Sequence, residues 1–156
     1  MHLSVDSPIG PLGVYLDGRT VIGVRFGDPT GEAARHPAVS ELTAYFAGEL
    51  TEFSVPVEVR GGSAFERAVW AEIAKIPYGE MLTYGRIATA LGDPGAARAV
   101  GTACNRNPVP VIVPCHRVVG AGGKMVGFGG GIDRKRKLLE LEARVSLARL
   151  WGLTSD

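Results

Sequence analysis

Cys115 and His116 stand side by side in the run Pro114-Cys115-His116-Arg117-Val118-Val119. A thiol near an imidazole becomes a thiolate nucleophile, because the ring takes the proton and the resulting imidazolium stabilises the anion. Adjacent side chains diverge on a strand and on a helix alike, so a direct bond needs a turn, or a water relay between the two groups. The plainer alternative is a core cysteine beside a surface histidine. Glu142 favours the chemical reading. On the last helix, expected from near Asp133 to about Leu150, it falls in the middle of the apolar face with Leu138, Leu141 and Val145. A carboxylate there must be paired or hydrogen-bonded, because burying it bare is strongly unfavourable. Lys135 shares that face and is one candidate partner, and His116 is the other. A glutamate that orients a histidine that activates a cysteine follows the logic of the catalytic triads, whereas a Lys135–Glu142 pair would be structural.

The elements that must position these groups are legible around them. A buried strand over Val109–Val113 is expected to run into Pro114, which ends pairing and sets a turn. Downstream, Gly120 to Gly131 contains seven glycines in twelve residues, a loop whose backbone can come close to a ligand and offer its N–H groups. It is not a P-loop, since no Gly-Lys-Ser/Thr follows. Upstream, Ser63 and Glu66 form a capping box, and Phe65, Val69, Ile73 and Ile76 give a buried stripe up to a stop at Pro77-Tyr78-Gly79. Thr83 can cap a short helix with Ile87, Ala88 and Leu91 inward, ended by Gly92-Asp93-Pro94. A further helix from about Ala96 to Arg106 follows, which gives the outline of a helix-turn-helix. At about 3.6 residues per turn, Ala96, Ala97, Val100, Ala103 and Cys104 share a small apolar side. Arg98, Thr102, Asn105 and Arg106 face the other way, a side suited to phosphates and base edges or, as the alternative, to water alone. Cys104 reads as an inert core thiol.

The first part of the chain carries no cluster of Cys, His or carboxylates. Alternation at Leu3/Val5, Val14/Leu16 and Val21/Ile22/Val24/Phe26, broken at Pro8-Ile9-Gly10-Pro11 and Asp17-Gly18, predicts a small antiparallel meander. A helix is expected after Pro37, through Val39, Leu42, Tyr45, Phe46 and past Gly48 to Leu50. An edge strand is expected over Phe53–Val59, with Pro56 keeping it at the edge. Gly61-Gly62 is the natural boundary, dividing the chain into 1–62 and 63–156.

Composition bounds the rest. A chain of 156 residues, 46% hydrophobic and 21% charged, supports one domain or two small ones packed together. No apolar run reaches the roughly 18 residues of a membrane span, and the start lacks a signal peptide, so a cytoplasmic protein is expected. Two cysteines make neither a disulfide framework nor a zinc ribbon. The net charge of +1 hides a split: residues 1–62 carry 4 basic and 8 acidic side chains, and the remainder 13 and 8. Either chance or a polyanion facing the second half accounts for it.

The run from Pro114 to Val119, preceded by Asn107-Pro108 and followed by Gly127-Phe128-Gly129-Gly130, resembles the O6-alkylguanine-DNA alkyltransferases. So do Ile76-Pro77-Tyr78-Gly79-Glu80 and Ala96-Ala97-Arg98-Ala99-Val100-Gly101, and the match spans about 63–145. The resemblance implies an α+β protein, with a small ribonuclease-H-like N-terminal αβ domain before a helical, winged-helix-like domain. It implies direct reversal of DNA damage: a single, irreversible transfer of an alkyl group from O6-alkylguanine, with O4-alkylthymine a further candidate, in a flipped-out base to Cys115. By the same resemblance His116 is the water-mediated base, Glu142 orients it, and Asn107 braces the turn. Tyr84 donates to the guanine, the Val118 carbonyl and the Phe128-Gly129-Gly130 segment line the pocket, and Lys135 lies near it. Arg98 wedges into the base stack within a DNA-binding set completed by Ala97, Thr102, Asn105 and Arg106. The implied partner is duplex DNA, bound by a monomer, with no membrane, cofactor or metal. Phe128 and Gly129 stand where many members carry tyrosine and a larger residue, which predicts a lower pocket wall and tolerance of alkyl groups larger than methyl. A lesion-binding module without catalysis and a cysteine hydrolase are the rivals. The first is disfavoured by the presence of Cys115, the second by a helix-turn-helix that would have no purpose.

Overall fold

The computed structural model describes residues 1–152, so the last four residues of the segment 63–156 lie outside the described residues. Strands β1 (His2–Val5), β2 (Leu12–Asp17) and β3 (Thr20–Phe26) form the expected antiparallel meander in the order β1-β2-β3. Leu3, Val5, Leu12, Val14, Leu16, Val21 and Val24 point into one core; period-2 alternation places those of β1 and β2, and a bulge in β3 opposite Tyr15 and Leu16 puts Val21 and Val24 on the same face. Helix α1 (Pro37–Phe46) begins with proline at its first turn, and the His36 ring accepts from the Ala38 N–H at 3.0 Å. Ala38, Leu42 and Tyr45 form its buried face.

Two expectations for this part need correction. Helix α1 stops at Phe46 rather than passing Gly48, because Gly48 turns the chain at φ +77°. Phe53–Val59 is not a strand but a single parallel bridge between Val57 and Val21. Pro56, which has no N–H, serves only as acceptor there, and Glu58 N–H returns the bond to Val21.

The second part is helical. The Ser63–Glu66 capping box opens α2 (Ala64–Ile73), which ends before Ile76 and the Pro77-Tyr78-Gly79 turn expected to stop it. Trp70, which the predicted stripe passes over, is buried and donates from its indole to Ala103 O at 2.8 Å. Thr83 caps α3 (Tyr84–Ala90), and a 3-10 turn at Pro94–Ala96 leads into α4 (Ala97–Asn105). Helices α3 and α4 pack against each other and α2 supports α4. A two-residue strand β4 (Leu82–Thr83) pairs in parallel with β5 (Val118–Val119), which fixes the start of α3 beside the residues after Arg117. Helix α5 (Ile132–Leu150) closes the structure, its buried face formed by Lys135, Leu138, Leu141, Glu142 and Val145. Among the described residues no helix is long and apolar enough to cross a membrane.

Val109–Val113 corrects a third expectation. The segment is buried but is a turn, and Val111 is the one described non-glycine residue with positive φ, +72°. Pro108, Pro110 and Pro114 remove the donors a strand would need. The Asn107 side chain supplies what they cannot: its Oδ1 accepts from Val109 N–H and its Nδ2 donates to Val113 O, both at 2.9 Å.

Candidate active site

The turn braced by Asn107 delivers Cys115, His116 and Arg117 as one 3-10 turn, all three buried. A carboxylate can only accept, so the 2.7 Å contact between His116 Nε2 and Glu142 Oε2 puts the proton on Nε2. Nδ1 is then the free lone pair, and it is buried with no partner among the described residues. Burial holds His116 below its ordinary pKa, against the pull of Glu142 and with help from the Arg117 and Lys135 charges. The resting ring is therefore a neutral base.

Sequence reasoning missed much of what surrounds Glu142. Arg117 grips both of its oxygens, Nε to Oε1 at 2.8 Å and an NH2 to Oε2 at 2.9 Å, and donates its remaining nitrogen to Ile76 O at 2.7 Å. Tyr45 donates to Oε2 at 2.7 Å and Gly79 N–H to Oε1 at 3.1 Å. Gly79 is required there: its φ is +78°, and a Cβ would run into Ser146 Oγ. Burial works to raise the Glu142 pKa, but the bonds from His116 and Arg117 outweigh it and leave the group well below the usual carboxylate range. The signal for Arg117 was present in the motif itself, an arginine directly after the histidine. Nothing local in the sequence marks Tyr45.

Lys135 is not the partner of Glu142, and that candidate pair is corrected. Its Nζ instead donates to Val118 O at 2.6 Å, Val126 O at 3.1 Å and the Tyr84 hydroxyl at 3.3 Å. Those three acceptors match the three donors of an ammonium group. Parallel pairing of β4 with β5 brings Tyr84 and Val118 within its reach.

Cys115 opens on a cavity of about 260 Å³ lined by Phe128, Gly129 and Gly130, with Val24, Arg25 and Phe26 of β3 opposite and Cys104 and Asn105 at the end of α4. Burial pushes its thiol up to about 11, against the Asn107 side chain and the Lys135 charge. At neutral pH the thiol is therefore protonated at rest, and reaction as a thiolate would require a base. Cys104 is pushed up to about 12 by burial and stays inert. Gly129 lets the loop lie on α4, since a Cβ would sit 3.1 Å from Asn105 O.

Tyr84 faces a neighbouring groove of about 530 Å³, shared with Ala97, Arg98, Thr102 and Asn105. Its hydroxyl bonds the carbonyls of Val126 and Gly127 at 2.8 and 3.0 Å, so the glycine-rich loop occupies the donor that the sequence offered to a substrate. Burial and the two nearby thiols push its pKa up to about 12. Arg98, Thr102 and Asn105 are exposed along α4, while Val100, Ala103 and Cys104 are buried beneath. Arg106 is exposed as well, but its guanidinium lies 3.6 Å from Glu66 at the start of α2.

The DNA-binding domain of 6-O-methylguanine DNA methyltransferase matches residues 64–144, and the ribonuclease-like domain of the same family matches residues 2–59. Methylated-DNA–protein-cysteine methyltransferase of Mycobacterium tuberculosis (strain ATCC 25618 / H37Rv) is 51% identical over 151 residues, 90% of this chain and 91% of that protein. The one from Methanosarcina acetivorans is 44% identical over 148 residues, covering 88% and 94%. Among solved structures, M. tuberculosis OGT in complex with DNA superposes with a TM-score of 0.84 at 49% identity, covering 92% of this chain and 93% of that one. The O6-methylguanine-DNA methyltransferase from Pyrococcus kodakaraensis strain KOD1 gives 0.73 at 28% identity, covering 91% and 99%.

Proposed function

The chain belongs to the 6-O-methylguanine DNA methyltransferase family, and from that membership we propose that it repairs alkylated DNA by direct reversal, moving an alkyl group from O6 of guanine to Cys115. The observation that carries the residue assignment is the buried His116–Glu142 pair next to the buried Cys115, in which a neutral imidazole keeps one nitrogen free. His116 Nδ1 takes the thiol proton by way of a bridging water. The thiolate attacks the alkyl carbon, so that the S–C bond forms as the C–O6 bond breaks. The electron pair stays with the purine, which leaves as neutral guanine after gaining a proton from the Tyr84 hydroxyl, with the Lys135 ammonium close by to stabilise the phenolate. For that donation the bonds from Tyr84 to Val126 and Gly127 must give way to the base.

The thioether is stable, and no group of the site can reverse it, so each molecule acts once. The substrate base is taken out of the duplex, as chemistry on a stacked base requires. Helix α4 presents Arg98 as the wedge that fills its place, with Ala97, Thr102, Asn105 and Arg106 along the backbone. The reading includes a division at Gly61-Gly62, supported by family matches that end at 59 and resume at 64, and a monomer working in the cytoplasm. Cys115→Ser tests the core of it. The variant should bind lesion-bearing duplex as the wild type does and transfer nothing, with binding read by fluorescence anisotropy and transfer by a radiolabelled methyl group. Residual transfer by the variant would overturn the assignment of Cys115, and repeated turnover by the wild type would point instead to a hydrolase.

A further inference from the structure

Glu142 is held from a direction that alkyl transfer does not by itself account for. Tyr45 lies on α1, in the N-terminal part of the chain, and is fully buried. Its hydroxyl donates at 2.7 Å to Glu142 Oε2, the oxygen that also accepts from His116 Nε2 at 2.7 Å and from Arg117 at 2.9 Å. A buried phenol needs a partner, and any backbone carbonyl would satisfy it. This one is aimed at the oxygen that orients the base. Burial and the Glu142 charge push the Tyr45 pKa upward, so the hydroxyl stays protonated and can only donate towards the carboxylate.

An oxygen shared among three donors gives less to each. Removing one donor concentrates the carboxylate on His116 Nε2–H and makes Nδ1 more basic. We propose that Tyr45 is a positioning residue of the transfer site: by donating to Glu142 it limits how strongly the carboxylate favours a proton on His116, so the N-terminal helix sets the pH range in which Cys115 is activated. The consequence for repair rests on the alkyl-transfer reading, whereas the effect on His116 does not.

The groups facing this carboxylate and the imidazole it holds come from four elements. Tyr45 comes from α1, Tyr78 and the Gly79 N–H from the turn after α2, Arg117 and His116 from the 3-10 turn, and Lys135, whose charge reaches His116, from α5. The Tyr78 ring lies edge-on to Tyr45 at 6.1 Å and beneath Arg117 at 5.5 Å. Its hydroxyl, however, has no partner among the described residues. Tyr78→Phe thus removes a phenol oxygen from the same neighbourhood without removing a bond, and serves as the control.

The test compares Tyr45→Phe, Tyr78→Phe and a chain carrying difluorotyrosine at position 45, all full length. Three pH profiles are recorded: the ring nitrogen shifts of His116 by NMR, the alkylation of Cys115 by iodoacetamide, and methyl transfer from O6-methylguanine duplex. Tyr45→Phe should move the His116 midpoint and the acid limbs of both rate profiles upward by about half to one pH unit, less than the full worth of one hydrogen bond to a charged group because the effect reaches the ring through Glu142. Difluorotyrosine, a stronger donor of similar volume, should move them downward, and Tyr78→Phe should leave them in place. Lowered thermal stability with unmoved profiles in both Tyr45 variants would reduce the phenol to a structural role and overturn the inference. A wild type that transfers no methyl group while His116 still shifts would sink the alkyl-transfer reading and leave the network intact.

Discussion

At the scale of single residues, the site works by withholding charge until it is needed. Burial keeps Cys115 a thiol and His116 neutral, while Glu142 is ionised and is bound by donors from Tyr45, Gly79, His116 and Arg117. Glu142→Gln should therefore lower the single-turnover transfer rate about a hundredfold, within the usual worth of general base catalysis. It should also cost about 3 kcal/mol of stability, because Arg117 is left buried without its counter-charge. Stopped-flow transfer and urea titration measure the two effects, and a variant with normal rate would exclude Glu142 from the relay. Phe128 and Gly129, from which a low wall is expected, line the cavity beside Cys115, and its volume of about 260 Å³ exceeds what a methyl group needs. Transfer from O6-benzylguanine in duplex should accordingly proceed within about tenfold of the methyl rate, a gap of roughly 1.4 kcal/mol in barrier. A strict methyl preference would reject this reading of the pocket.

At the scale of elements, α4 separates support from contact. Its small buried face rests on α2, tied by the Trp70 bond to Ala103 O, and its exposed face carries Arg98, for which no ion pair is present among the described residues. Arg98→Ala should slow repair in duplex about tenfold or more if Arg98 is the proposed wedge, since flipping a base costs a few kcal/mol. Attack on free O6-benzylguanine should be unchanged, and equal losses in the two assays would remove the wedge role. The helices around this site were legible because their caps and periodicity are local: Ser63, Glu66 and Thr83 announce α2 and α3 within a few residues. The segment over Val109–Val113 was not. Its run of valines has the composition of a strand, and only the missing donors of three prolines and the side chain of Asn107 turn it into the brace that sets Cys115.

At the scale of the whole molecule, the two parts of the chain share one buried polar network, from Tyr45 on α1 to Glu142 on α5. The sequence carried Cys115, His116 and Glu142 through motif and helix face, but it could not show Tyr45, because partners 97 residues apart leave no periodic trace. It also left Lys135 open as an alternative to His116 for Glu142, until the pairing of β4 with β5 gives Lys135 other acceptors. The network makes stability depend on pH on both sides of neutrality. His116 is held neutral below its ordinary pKa, so the unfolded chain gains a proton first as pH falls below about 6.5, and stability declines there, more steeply once Glu142 is challenged below about 4.3. Cys104 and Cys115 are held protonated up to about 12 and 11, so the unfolded chain loses protons first above about 8.5, and stability declines again. Calorimetry across this range should show a maximum between those limits, and a melting temperature still rising at pH 9 would contradict the buried-thiol assignment.

Mass analysis of the peptide that holds Cys115, after incubation with excess O6-methylguanine duplex, bears most directly on the transfer itself. Every protein molecule should gain the mass of one methylene on that peptide, and gain it once, with unmodified guanine appearing in equal amount. An unmodified Cys115 after complete exposure, or a methyl group found on another residue, would contradict the account.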